Sequence, residues 1–165
     1  MTSFAIKTAT VEDIPLIITI QEQTWEPTYR QILSWEQIDY MFALMYSPES
    51  LYKQIQELGH TFLILSEQEK YLGFASFSRV EESVFKLHKI YVLPESQGTG
   101  SGSYLLEKVE ECVRELGAER LTLNVNRFNK ARYFYEKKGF RIVQEEDIAI
   151  GPYWMNDYLL EKTWV

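Results

Sequence analysis

The stretch "YVLPESQGTGSGSYLLEKVEE", residues 91–111, decides how the rest of the chain is read. An apolar run ends at Leu93, and glycines follow at alternate positions, Gly98, Gly100 and Gly102. A helical stripe then begins at Leu105 and continues through Leu106, Val109, Cys112, Val113 and Leu116, closed by Gly117. A strand signal before the glycines and a 3.6-residue period after them predict strand, turn and helix. Glycines remove the β-carbons that keep a ligand away from the backbone. The unpaired N–H groups and the dipole at a helix N-terminus attract phosphate. The turn is therefore a candidate phosphate cradle.

Two nucleotide fingerprints fail on this loop. A P-loop needs Gly-Lys-Ser/Thr at its end, and no lysine follows these glycines. The dinucleotide motif spaces its glycines G-x-G-x-x-G and wants an acidic residue at the end of the next strand; here the spacing is G-x-G-x-G and that strand, "LTLNVN", ends in Asn126.

The flanking segments extend the pattern. "FAIKTAT" predicts a first strand, and Thr10 with Asp13 forms a capping box ahead of a helix bearing Ile14, Ile17, Ile18 and Gln21. Short helices broken at Pro27 and Pro48 come next. "TFLILS" and "YLGFASFSRV" read as a hairpin, and "VFKLHKIYVL" as a third strand antiparallel to its predecessor. The crossover through the glycine loop and its helix makes "LTLNVN" parallel to that third strand. A helix over "NKARYFYEKK", ending at Gly139, precedes the last strands in "FRIVQEE" and "YWMNDYLLEKTW". The expected order is β-α-α-β-β-β-α-β-α-β-β, an α/β (α+β) fold with a mixed, mostly antiparallel sheet and one parallel pair. No repeat or linker divides the 165 residues, so one domain over 1–165 is expected.

Composition narrows the function. With 45% apolar residues and 15% aromatics the chain has ample material for a core. A net charge of -7 argues against nucleic-acid binding and against an anionic membrane surface, and it tolerates a cationic substrate. The one cysteine, Cys112, permits no internal disulfide or Cys-rich zinc site, and its helical position reads as buried packing. The opening "MTSFAIKTATVEDIPLIITI" lacks the basic start and unbroken apolar run of a signal peptide, so a cytoplasmic protein is expected.

Gln97-Gly98-Thr99-Gly100-Ser101-Gly102 fits the Q/R-x-x-G-x-G/A signature of the GNAT superfamily of acetyl-CoA-dependent N-acetyltransferases. It follows a strand, precedes a helix and lies about 35 residues ahead of "ARYFYEKKGF", which resembles that family's A-x-x-F-Y-E-K-x-G-F segment. "IKTATVEDIPLI" and "IAIGPYWMNDYLLEK" are similar to family members too, so the resemblance covers most of the chain.

The resemblance implies helices on both faces of the sheet and a parallel strand pair splayed around acetyl-CoA. The pantetheine arm would run along Ile90, Tyr91 and Val92, with Gln97, Gly98, Thr99, Gly100, Ser101, Gly102 and Ser103 around the pyrophosphate. A backbone N–H near Val92 would stabilise oxyanion character at the thioester carbonyl. Tyr135 falls at the family's helix tyrosine, which often protonates the departing thiolate; a phenol of pKa about 10 still holds its proton at neutral pH. Asn129 is the favoured cofactor asparagine, although Phe128 occupies the usual place and Asn126 flanks it on the other side. Ser101 replaces a usually aliphatic residue. No metal is implied.

The acceptor sets a second problem. A primary amine of pKa about 10.4 costs roughly 4 kcal/mol to deprotonate near neutral pH, which calls for a base. Family members often place a glutamate on the strand before the loop, where this chain has Lys86 and His88. Strand alternation puts His88 on the face of Ile90, making it the candidate base, with a solvated or packing histidine as the alternative. "TWEPTYRQIL" supplies Trp25, Glu26, Thr28 and Tyr29, and "GPYWMNDY" supplies Tyr153 and Trp154, as candidate amine contacts. The W-x-x-T-Y and I-G-x-x-x-M-x-D-Y stretches resemble the branch containing spermidine/spermine acetyltransferases, which implies a small-molecule amine such as a polyamine. Acetylation of a protein N-terminus or lysine, and a non-catalytic acetyl-CoA sensor, are the other readings. Edge strands of this fold often pair, which admits a homodimer.

Overall fold

Phe62, Leu63, Ile64 and Leu65 are consecutive and all buried, as are Phe74 and Ala75, which marks their strands as central ones covered on both faces. The computed structural model describes residues 3–164; Met1, Thr2 and Val165 of the expected 1–165 unit lie outside the described residues. The elements run β1 (Phe4–Thr8), α1 (Ile14–Tyr29), α2 (Trp35–Tyr46), α3 (Pro48–Gln56), β2 (Thr61–Glu67), β3 (Lys70–Glu81), β4 (Val84–Val92), α4 (Ser101–Glu115), β5 (Arg120–Asn126), α5 (Ala131–Lys137), β6 (Arg141–Ile150) and β7 (Tyr153–Thr163). They form a seven-stranded sheet of order β1-β2-β3-β4-β5-β7-β6, and every pairing is antiparallel except β4 with β5.

Alternation along the central strands feeds two cores. Leu63, Leu65, Ala75, Phe77, Leu87 and Leu123 meet Leu105, Leu106, Val109 and Val113 of α4 on one face. Phe62, Ile64 and Phe74 meet Ile17, Ile20, Trp25, Met41 and Leu51 of α1–α3 on the other. Burying each such side chain contributes about 1.5–3 kcal/mol, so both helical layers are held firmly against the sheet that carries the cleft.

Three helices precede β2 where the sequence reading has two helical blocks, and the expected break at Pro27 does not occur. Pro27 sits in the last turn of α1, where a proline forfeits one backbone bond and little helix remains to be disrupted. The turn is reinforced by the Thr28 hydroxyl, which donates to the Thr24 carbonyl at 2.7 Å, and by the Arg30 N–H on the Glu26 carbonyl at 2.8 Å. Pro48 acts as expected, opening α3 behind Ser47, whose hydroxyl accepts from the Ser50 N–H. The Thr10–Asp13 capping box is present. No helix among the described residues is long and apolar enough to cross a membrane.

Candidate active site

The pairing of β4 with β5 begins at Val84 opposite Arg120 and stops at Leu87 opposite Leu123. Beyond that point β4 continues against β3 as far as Val92, and β5 continues against β7 as far as Asn126. The two parallel strands therefore part while each keeps its outer neighbour. Leu93 donates its N–H to the Leu72 carbonyl of β3 at 2.8 Å. By strand alternation Val92 and Ile90 turn their N–H and C=O groups the opposite way, into the gap. A cleft of about 780 Å³ opens there, bordered by β4, the glycine loop, β5, α5 and the end of α1. That size suits a small-molecule site.

The loop after β4 is preformed. Gly98 and Gly100 adopt φ of +80° and +88°, a region that L side chains rarely adopt. The first helical bond of α4 runs from the Tyr104 N–H to the Gly100 carbonyl, so the N–H groups of Ser101, Gly102 and Ser103 have no partner within the helix. Gln97, Gly98, Gly100, Gly102 and Ser103 line the cleft, but Thr99 and Ser101 do not. The hydroxyls of those two side chains donate to the Ser96 carbonyl at 2.6 and 2.8 Å and meet each other at 3.2 Å. Ser101 is 1% exposed. The Ser101 hydroxyl thus ties the loop to itself through a bond that an aliphatic side chain could not make.

Aromatic hydroxyls converge on the gap. Tyr29 from the end of α1 and Tyr91 from β4 stand with hydroxyls 3.3 Å apart. Tyr135 of α5 approaches from the α4 side, wedged between Phe134 and Phe140. Burial, and secondarily the Tyr29 phenol, push its pKa well above the ordinary phenol value. It therefore keeps its proton throughout the neutral range and remains a hydrogen-bond donor beside the gap. Asn129 lines the cleft and also accepts the Ala131 N–H at 2.9 Å, starting α5 two residues later than the sequence pattern suggests. Asn126 is buried, and its side-chain oxygen accepts the Phe128 N–H.

His88 is not on the face of Ile90. Ser76 opposes Lys89 while Phe77 opposes Leu87, so His88 is the extra residue of a β-bulge and the alternation slips by one. Leu87 and Ile90 both end up packed in the α4-side core. Lys89 turns to the other layer, over the rings of Tyr46 and Phe62, with its ammonium on Gln54 Oε1 at 2.7 Å. His88 borders the cleft, but its imidazole stacks on His60 at 4.0 Å and bonds the Ser78 hydroxyl at 2.7 Å. Burial, followed by repulsion from His60, Lys89 and Lys86, pulls its pKa down to about 3. Such a group is a weak base and is already engaged.

The expected amine contacts divide. Thr28 and Tyr29 line the cleft. Trp25 does not; it is 3% exposed in the α1–α2 core, and its indole N–H donates to the Ile38 carbonyl at 3.0 Å. Glu26 lies off the cleft as an i,i+4 partner of Arg30, Tyr153 packs on Tyr40 with ring centroids 5.4 Å apart, and Trp154 is exposed. Sequence reasoning missed Arg30 and Lys130, cations on the cleft wall, and Asn124 of β5. It also missed Asp157, a buried carboxylate of β7 beside Asn126. The sequence does not single Asp157 out, since the same strand also carries Asn156, Glu161 and Lys162.

A family model for the acetyltransferase (GNAT) domain matches residues 27–155. The chain belongs to the GNAT acetyltransferase family. This GNAT protein is 26% identical to a spermidine N(1)-acetyltransferase of Thermoplasma acidophilum over 97% of each chain. It superposes with a TM-score of 0.84 and 25% identity on a PaiA N-acetyltransferase of the same organism, solved in complex with coenzyme A, over 98% of this chain and 99% of that one. A [ribosomal protein bS18]-alanine N-acetyltransferase of Haemophilus influenzae is 40% identical over 49% of this chain and 55% of its own length. An uncharacterized N-acetyltransferase of Mycobacterium tuberculosis is 35% identical over 55% of the GNAT chain and 59% of its own, so the chain spans less than two thirds of that relative.

Proposed function

We propose that the protein moves an acetyl group from acetyl-CoA to a primary amine. The observation that carries this reading is the parting of β4 from β5 beside the glycine loop, which leaves the backbone groups of Ile90 and Val92 facing a cleft. These groups suit the amides of a pantetheine arm. The free N–H groups at the start of α4 suit a pyrophosphate, and Arg30 and Lys130 add positive charge at the cleft wall. The thioester supplies an activated carbonyl when bound. The chain's own part is to orient it with the Val92 N–H and to hold a proton on Tyr135 for the leaving thiol.

A small polyamine-like acceptor is the favoured substrate. The full-length similarity to a spermidine N(1)-acetyltransferase supports it, as does an acidic chain of net charge -7. A protein N-terminus is the second reading, supported by the partial match to the ribosomal-protein alanine N-acetyltransferase. The test is thiol release from acetyl-CoA with a panel of spermidine, spermine, amino acids, aminoglycosides and short peptides. Release with the polyamines is the expected result; release with peptides alone would move the acceptor to the second reading. No release with any amine, despite acetyl-CoA binding, would leave a cofactor sensor.

A further inference from the structure

We propose that the catalytic base of this protein is Asp157 of β7, which faces the acceptor amine from the α1–α2 side of the sheet while Tyr135 faces the thiol from the α4 side. The proposal rests on the acetyltransferase reading and supplies the group that β4, with its engaged His88, does not.

Placement comes first. Asp157 pairs with Asn126, the last residue of β5, at the open end of the split between β4 and β5. Met155, two residues earlier, packs in the α1–α3 core, whereas Tyr158 and Leu160 pack in the α4-side core. Asp157 therefore points to the α1–α2 side. Tyr29, whose hydroxyl borders the gap, has its pKa raised first by burial and also by the charge of Asp157.

The second observation is an unmet need. Asp157 is 5% exposed, and its Oδ1 has no hydrogen-bond partner among the described residues. A buried carboxylate oxygen left unpaired is costly and calls for an explanation. The neighbouring acid is already engaged: Glu146 of β6, directly opposite Asp157, accepts from the Asn124 amide at 2.9 Å. Arg127, whose guanidinium bonds the Asp157 backbone carbonyl at 3.1 Å, directs its charge to Asp147 at 2.9 Å. Asp157 is not among the residues that line the cleft, so an ammonium or amine must reach past Tyr29 to give Oδ1 the donor it lacks.

The groups around Asp157 fit a base that works near neutrality. Burial, then the charge of Glu146, raise its pKa to about 6, against smaller opposing effects of Lys86 on β4 and Arg127. The acceptor sheds its first proton to water. As the nitrogen lone pair bonds to the carbonyl carbon and the C–S bond breaks, the nitrogen's surplus proton passes to Asp157 Oδ1. Tyr135 protonates the departing sulfur, and solvent exchange resets both groups.

The test is the pH profile of kcat/KM for Asp157→Asn, Glu146→Gln and wild type with the best amine, run beside a ¹³C-carboxyl NMR titration of the free protein. In wild type, log kcat/KM should rise with slope 1 toward the amine's pKa and steepen toward slope 2 below pH about 6. Asp157→Asn should lower kcat/KM by about 10²–10⁴-fold, keep slope 1 throughout, and bind acetyl-CoA as wild type does. Glu146→Gln should move the steepening to lower pH, and the Asp157 carboxyl should titrate near 6 by NMR and lower in that variant. Steepening that persists in Asp157→Asn, a rate within threefold of wild type, or a carboxyl titrating in the ordinary range would overturn the base and leave the acetyltransferase standing. A carboxyl titrating near 6 in a wild-type protein that turns over no amine would overturn the enzyme reading, and the base with it.

Discussion

Gly73 of β3 lies opposite Val92, the residue that presents its backbone to the cleft. A β-carbon at Gly73 would overlap the Tyr91 carbonyl oxygen and the Val92 Cα. Both are backbone atoms, so no rotamer change relieves the overlap and β4 must shift in Gly73→Ala. Overpacking of this kind costs about 1–3 kcal/mol. For a chain of this size each kcal/mol moves Tm by about 2–4 °C, so Tm should fall by about 2–12 °C. The shift also displaces the gap-facing edge. Loss of one backbone hydrogen bond, about 0.5–1.5 kcal/mol, should raise the acetyl-CoA Kd by about 2–13-fold. Thermal unfolding and calorimetric titration read both quantities. Gly59→Ala is the control: Gly59 has φ of +71° and open space around it, between α3 and β2, so the variant should lose stability through strain alone. A Gly73→Ala protein with lowered Tm and unchanged Kd would show that the cofactor does not read this edge of β4. An unchanged Tm would refute the packing argument itself.

Three further outcomes are expected. Tyr135→Phe should lower kcat by about 10²–10⁴-fold with little change in acetyl-CoA affinity, and an unchanged kcat would remove this phenol from the reaction. His60 and His88 have folded-state pKa values of about 4 and about 3, below the roughly 6.5 of an unfolded histidine. The unfolded chain therefore binds more protons between those values, and stability should be lost as pH falls from about 6.5 toward 4. In a His60→Gln/His88→Gln protein the Tm-against-pH slope over that window should flatten, and an identical slope would contradict the buried neutral pair. Trp25→Phe should cost about 1–3 kcal/mol by urea unfolding, because the Ile38 carbonyl loses its buried donor. The KM for the amine should stay within twofold; a tenfold rise would return Trp25 to the acceptor site.

The elements of the fold were legible because their signals are local: the glycine loop between two periodicities, the Thr10–Asp13 box, the polar breaks between strands. The crossover through α4 fixed the parallel pairing of β4 and β5 by chain length alone. The β-bulge at His88 was hidden, since alternation counts residues along one strand and a bulge exists only relative to its partner, here Ser76 and Phe77 of β3. Trp25 and Tyr153 illustrate a related difficulty. An aromatic beside a carboxylate reads alike whether it lines a pocket or, as Trp25 does, anchors α1 to α2 through the Ile38 carbonyl. Ser101 departs from its family's pattern, and its bond to the Ser96 carbonyl five residues back emerges only once the loop has closed. Asp157 was overlooked because its importance comes from what is missing around it, a donor for Oδ1.

The central claim is that acetyl-CoA lies in the split between β4 and β5 with its thioester at Val92. A crystal structure with acetyl-CoA, or with a non-hydrolysable analogue, tests it most directly. The expected result is pyrophosphate against the first turn of α4 and the thioester oxygen within about 3 Å of the Val92 N–H, with the sulfur toward Tyr135. Coenzyme A bound outside the split, or a thioester turned away from Val92 and Tyr135, would contradict the account.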